Sequence, residues 1–143
     1  MGWLEERIDY RDYVGLSKIR DMLVMQVTGG EHYYTVAQLC DLLETQALVV
    51  VILDLAWVGG KTSWRKLAAI GEAYNIPVYG HVVLKVHVNL LASVPAGHMV
   101  EYLPSSTEIL DNMLMPVEGK MAPLDGLGHG LQPNEAAVAK FKL

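Results

Sequence analysis

Short apolar runs alternate along this chain with longer segments in which apolar residues recur every three or four positions. The first pattern predicts strands and the second predicts helices. Gly2–Leu4 reads as a strand ending at Glu5-Glu6, and Tyr13–Leu23 as a helix with Tyr13, Leu16, Ile19 and Leu23 on one face. Met25–Thr28 is a strand broken by Gly29-Gly30 just ahead of Glu31. Thr35 is placed to cap a helix running to Thr45, with Val36, Leu39, Cys40 and Leu43 inward. The unbroken Val49–Leu53 run has the composition of a parallel strand buried on both faces, and Asp54 follows it directly. Thr62–Tyr74 carries Trp64, Leu67, Ala68 and Gly71 on an apolar stripe, with Arg65, Lys66 and Glu72 off it, the pattern of an amphipathic helix. Val78–Gly80 is a strand ending at His81, Leu84–Val94 a helix, and Met99–Val100 a short strand leading into Glu101. Past Pro104 the alternation fades. Ser105–Leu114 has room for a helical turn or two, Met115–Leu131 is rich in Gly and Pro, and Asn134–Phe141 predicts a closing helix.

Strands alternating with helices imply βαβ units and a parallel sheet. Functional side chains of such sheets gather just past the carboxyl ends of the strands. Every predicted strand delivers a titratable residue at that point: Glu5, Glu31, Asp54, His81 and Glu101. They recur about every 20–27 residues, one strand–helix unit of a (β/α) barrel. One such residue would be an ordinary solvated strand end, but the series predicts a common rim. The element count also fits a flavodoxin-like doubly wound binding module. The chain, however, lacks a phosphate loop and an acidic pair set against a later Lys.

Composition narrows the function. Of 143 residues, 52% are apolar and 19% charged, enough to build the core of one ordinary domain. A formal charge of −5 argues against nucleic-acid or anionic-membrane partners, which need basic surface. Cys40 is alone, which excludes an intrachain disulfide and fits a reducing cytosol; it is expected as a buried structural thiol. No apolar stretch is long enough for a membrane span and no basic leader precedes one, so a soluble, cytoplasmic, unprocessed protein is expected. His32 reads as a rim histidine. His87, His98 and His129 share no metal-ligand spacing and read as surface or capping residues. Gly126–Gly130 lacks the strand–glycine–helix context of a phosphate loop. Met113, Met115 and Met121 read as adaptable packing or interface filler.

The ordered motifs resemble the mandelate racemase and muconate-lactonizing branch of the enolase superfamily. Trp3-Leu4-Glu5-Glu6 resembles that family's fourth-strand motif and Gly29-Gly30-Glu31 its fifth-strand Gly-Glu. Asp54 through Val58-Gly59-Gly60, followed by Ile76-Pro77-Val78, is similar to the sixth strand and the approach to the seventh. Gly80-His81 matches the seventh-strand His and Val100-Glu101-Tyr102 the eighth-strand Glu. The tail from Met115, with Gly126-Leu127-Gly128, resembles the return to the capping domain.

The resemblance implies a partial (β/α)8 barrel of five parallel strands over residues 1–114, with residues 115–143 as a tail packed on or beside it. It implies that Glu5 and Glu31 bind Mg²⁺ and that Asp54 orients His81. Glu101 would hydrogen-bond a substrate carboxylate as it becomes an enediolate. The implied reaction is proton abstraction α to the carboxylate of a small acid or sugar acid, as in racemases and acid-sugar dehydratases. Such chemistry needs a hard cation on oxygen ligands and an imidazole near neutral pKa; the pairing of a His or Lys base with Mg²⁺ is the known pattern of this superfamily.

The likeness begins at the family's fourth strand, so the base on the second strand, the first metal-binding Asp on the third and the cap are expected outside the chain. An incomplete or inactive site is therefore expected for the chain alone. Open barrel edges predict pairing with a second copy or a complementing chain. A non-catalytic remnant or engineered partial barrel that self-associates is the competing reading. Arg7 stands where the family usually has Pro, and Lys61 follows Gly59-Gly60 where an apolar residue is common.

Overall fold

The computed structural model describes residues 2–112 and 114–142; Met113, read above as packing filler, lies outside the described residues. The predicted elements are present with ends shifted by a residue or a few. They are β1 (Trp3–Glu5), α1 (Tyr13–Met22), β2 (Gln26–Gly29), α2 (Val36–Glu44), β3 (Val50–Asp54), α3 (Lys61–Ala73), β4 (Val78–His81), α4 (Leu84–Leu91), β5 (Gly97–Val100), a 3-10 turn (Pro104–Ile109) and α5 (Glu135–Lys140).

The five strands lie in chain order, β1-β2-β3-β4-β5, and every neighbouring pair is parallel. Because βαβ crossovers are right-handed, this order puts all the crossover helices on one face of the sheet. A flavodoxin-like domain needs a strand order that reverses at a switch point, so that alternative is excluded.

Helix starts follow local chemistry. Thr35 caps α2 as its position predicts: its hydroxyl accepts the Gln38 amide and the Gln38 side chain accepts back from the Thr35 backbone, a complete capping box. Asn134 caps α5 through the Ala137 amide.

The main core lies between the sheet and α1–α4, with Val86, Leu90 and Leu91 of α4 in the same cluster. Leu16, Leu39, Leu42, Leu43, Trp64 and Leu67 meet Val27, Val51, Leu53 and Val78 there. Each fully buried Leu contributes about 1.5–3 kcal/mol, more than a cap or an exposed ion pair, so the helical face holds the fold and leaves the other face free for chemistry. The expected inward stripe of α2 needs correction. Val36 is 41% exposed and Cys40 only half-buried. The stripe centres on Leu39, Leu42 and Leu43, which puts Val36 and Cys40 on its flank.

The concave face shows that the sheet is curled. Trp3 on β1 meets Tyr79 on β4 edge to face, with ring centroids 5.8 Å apart. In a flat sheet, three interstrand steps of about 4.8 Å would separate those positions by roughly 14 Å. Curvature of this kind is that of a barrel wall.

His87 is a second correction. Expected at the surface, it is fully buried on α4, its ring 5.9 Å from that of Trp64 and packed on Gly80. A Cβ at Gly80 would come within 2.7 Å of the imidazole. The missing side chain at the strand end is what admits the ring. Beyond β5, the chain folds back so that Leu110 bridges Pro133 and the Asn134 amide donates to the Ile109 carbonyl.

Candidate active site

Asp54 and His81 end adjacent strands, and the β3–β4 register pairs them directly. Asp54 is buried. One oxygen accepts the Ala56 and Trp57 amides at 2.7 and 2.9 Å, the turn geometry that Asp side chains form with their own downstream backbone. The other lies 2.8 Å from His81 Nδ1. An ionised carboxylate only accepts, so Nδ1 carries the proton and Nε2 is the exchangeable nitrogen. Burial pushes the Asp54 carboxyl up, but the Trp57 amide, His81 and the Ala56 amide together hold it below the usual range. For His81, burial opposes the charged ring. The Asp54 bond and the fields of Glu31 and Glu101 outweigh it and raise the imidazole above its ordinary value.

His81 Nε2 faces two more carboxylates, Glu31 Oε2 at 3.3 Å and Glu101 Oε2 at 3.6 Å. Four of the five residues anticipated at the rim, Glu31, Asp54, His81 and Glu101, are thus brought together around one imidazole. Glu5 lies on the concave face of the neighbouring strand, where its Oε2 accepts the Trp3 indole N–H at 2.9 Å. Its contact with the cluster is electrostatic: burial raises the Glu31 carboxyl first, His81 and His32 lower it, and the negative fields of Glu6 and Glu5 raise it again.

Glu6 and His32 join the site in roles the sequence did not announce. Glu6 Oε1 accepts the Gly30 amide at 2.9 Å and Oε2 sits 2.5 Å from His32 Nδ1. Glu6, Glu31 and His32 each offer a ligand atom within 4.8 Å of the others. His32 does sit at the rim, stacked on Tyr10 and edge-on to Trp57. The signal for Glu6 was present but silent: it adjoins Glu5, and period two sends the second residue off the concave face. Its φ of +38° then turns it back towards Gly30. Arg7, anticipated near the metal carboxylates, is exposed.

Directly after His81 the backbone is strained. Val82 and Val83 have φ of +48° and +31°, a region β-branched residues rarely adopt. Three contacts hold the turn. Val82 N–H donates to Glu101 Oε2 at 3.3 Å, His87 Nδ1 meets the Val82 carbonyl at 2.9 Å, and the Val83 carbonyl starts α4. Burial holds His87 below its ordinary pKa, with the Val82 carbonyl and Asp54 opposing.

Known proteins share this fold. A sequence profile described as enolase C-terminal domain-like matches residues 1–137. A Caldivirga maquilingensis protein named for L-rhamnonate dehydratase activity is 32% identical over 157 aligned positions, covering 98% of this chain and 38% of that one. A crystal structure described as an enolase from Bradyrhizobium, complexed with magnesium and mandelic acid, superposes with a TM-score of 0.90 at 29% identity, over 96% of this chain and 38% of that one. An L-talarate dehydratase from a Polaromonas species, complexed with Mg and L-glucarate, gives a TM-score of 0.87 at 25% identity over the same shares, 96% and 38%. The chain spans 38% of the length of the Caldivirga protein and 26% of a second curated relative, a Streptomyces coelicolor protein named 3,6-anhydro-alpha-L-galactonate cycloisomerase, to which it is 33% identical over 65% of its own length. Among the described residues no helix is long and apolar enough to cross a membrane. The chain belongs to the enolase superfamily, in its mandelate racemase and muconate-lactonizing branch, and its curled five-stranded sheet is part of that family's (β/α)8 barrel.

Proposed function

We propose that this chain supplies the acid–base face and part of the metal-binding face of a Mg²⁺-dependent enzyme that moves a proton α to the carboxylate of a sugar acid. The observation that carries the reading is the placement of His81, with Nδ1 on Asp54 and Nε2 facing Glu31 and Glu101. An imidazole fixed at one nitrogen and free at the other is the arrangement a proton-transfer group needs.

The donor set fits a hard dication. Glu31 is a half-buried carboxylate crowded by Glu5 and Glu6, and oxygen-rich negative sites are what Mg²⁺ selects. Glu5 and Glu31 would hold it, and when bound it would supply charge to offset the negative charge growing on the substrate carboxylate. His81 exchanges a proton at Nε2, while Asp54 keeps the ring in one tautomer and stabilises its charged form. Raised above its ordinary value, His81 is well suited to deliver a proton, whether to the α carbon in racemization or to a departing hydroxyl in dehydration. Glu101, which shares no strand with the metal carboxylates, would meet the substrate carboxylate through a shared proton.

Two carboxylates leave most of the octahedral shell to other groups. The site is completed by groups outside these 143 residues, on the same polypeptide or on another, and these residues by themselves turn over slowly or not at all. The L-glucarate bound by the Polaromonas relative makes acid sugars the first substrates to try.

The test is ¹H NMR of α-proton exchange in D₂O with a sugar-acid library and Mg²⁺, with and without added complementing chain. Exchange that needs Mg²⁺ and vanishes in His81→Ala supports the proposal. Exchange that survives His81→Ala removes His81 from the role, and a complemented assembly with no exchange on any acid sugar refutes the reaction.

A further inference from the structure

We infer that Glu6 is a positioning residue whose carboxylate clamps the Gly30–His32 segment from both ends and so fixes the direction of Glu31. The inference rests on the reading of Glu31 as a metal-binding carboxylate.

Glu6 reaches across from the end of β1 to the end of β2. One oxygen takes the Gly30 amide at 2.9 Å, one residue before Glu31, and the other takes His32 Nδ1 at 2.5 Å, one residue after it. The Glu6 side chain is largely enclosed, at 14% exposure, while the His32 ring is partly open at 37%, and partial burial strengthens such contacts. Neighbouring residues are shaped to the clamp. A Cβ at Gly29 would sit 3.0 Å from Glu6 Cγ, so glycine there leaves the side chain its path. Gly30 has φ +120°, and a Cβ on it would come within 2.8 Å of Val51 and 2.9 Å of the Ile52 carbonyl. The segment is therefore held tight against β3. Stacking on Tyr10 at 5.2 Å and the edge contact with Trp57 at 5.3 Å stop the His32 ring from swinging off Glu6.

Glu31, between the two clamped residues, makes no such backbone bond among the described residues. Its Oε1 lies 3.7 Å from His32 and its Oε2 3.3 Å from His81. Glu6 has committed both its oxygens to the segment, whereas Glu31 faces the rim. Carboxylates that hold a metal ligand in place through its neighbours are a recurrent device of metal sites.

The test uses the full ¹⁵N-labelled chain with Glu6→Ala, Glu6→Gln and Glu31→Gln, reading Gly30 amide exchange, the His32 ring ¹⁵N shifts and Mg²⁺ affinity by calorimetry. Glu6→Ala is expected to speed Gly30 exchange about 10-fold or more and to weaken Mg²⁺ binding about 10–100-fold. Glu6→Gln is expected to keep Gly30 protected, because its amide oxygen still accepts. Its amide NH₂ also donates, so His32 must shift to the Nε2–H tautomer, which the ring nitrogens report. Unchanged core amides at Val51 and Leu53 show that each variant is folded. Gly30 exchange in Glu6→Ala equal to the parent, or a His32 tautomer unmoved by Glu6→Gln, overturns the clamp. Mg²⁺ affinity lost in Glu31→Gln but unchanged in both Glu6 variants overturns the positioning role while sparing the metal site. Affinity unchanged in Glu31→Gln refutes the metal reading itself, and the exchange and tautomer readouts, which need no metal, still decide the clamp.

Discussion

Nε2 of His81 lies 3.3 Å from Oε2 of Glu31, so the proposed proton carrier and the proposed cation ligand share one contact. Removing the negative charge must then ease deprotonation of the imidazole. Glu31→Gln is expected to lower the His81 pKa from its raised position towards the ordinary value, and saturating Mg²⁺ is expected to shift it the same way in the parent. NMR titration of the ring protons measures both, and a His81 pKa that stays put or rises contradicts the shared contact.

Asp54 reads out through chemistry rather than affinity. Asp54→Asn retains a side-chain oxygen for the Ala56 and Trp57 amides, but its amide can turn a donor towards His81 Nδ1 and stabilise the wrong tautomer. In the assembly that turns over, both Asp54→Asn and His81→Asn should lower kcat by about 10²–10⁴. KM for the sugar acid should change far less. Steady-state kinetics separates the two parameters.

The two histidines of β4 and α4 pull stability in opposite directions with pH. His81 is raised in the folded chain, so its contribution is fully present below the ordinary value of 6.5 and is lost as pH rises through the higher folded value. His87 is depressed, so the unfolded chain takes up its proton first and stability falls as pH drops below 6.5. Removing His81 leaves the second effect unopposed. The urea midpoint of His81→Gln should therefore fall more than the parent's between about pH 7.5 and about pH 5.5. Parallel midpoint curves for the two proteins would contradict the assignment.

Gly80 is the door through which His87 enters the core. Gly80→Ala forces a Cβ to 2.7 Å from the imidazole, and overpacking of this kind costs about 1–3 kcal/mol. The loss should shrink when His87→Ala is added, because the clash disappears. Urea denaturation of the single and double variants forms the cycle.

At the outer end of the fold, Thr35→Ala removes one side of the α2 capping box and should cost about 0.5–2 kcal/mol. Thermal denaturation followed by circular dichroism measures it, and an unchanged midpoint would mean that α2 is held by Leu39, Leu42 and Leu43 alone.

The rim was legible because strand ends announce themselves: the Val49–Leu53 run stops at Asp54, and glycines precede Glu31 and His81. What lay outside a one-dimensional reading depends on contacts between distant segments. Nothing adjacent to Glu6 says that its φ is positive or that Gly30, 24 positions on, will offer an amide. His87 looked like a surface residue because its burial is decided by an absent side chain on another strand. Val36 and Cys40 fit a helical period, but the flank of a stripe is separated from its centre only by knowing where the sheet lies.

The meeting of Trp3 and Tyr79 bears on more than curvature. Each ring sits two residues before a rim residue, Glu5 and His81, and so one layer of the pleat deeper on the same concave side. Together they make a floor. Indole and phenol lie about 6–7 Å along their strands from the rim residues, two residues' rise. The strand ends that carry Glu5 and His81 are thereby tied to each other by one ring contact beneath the rim.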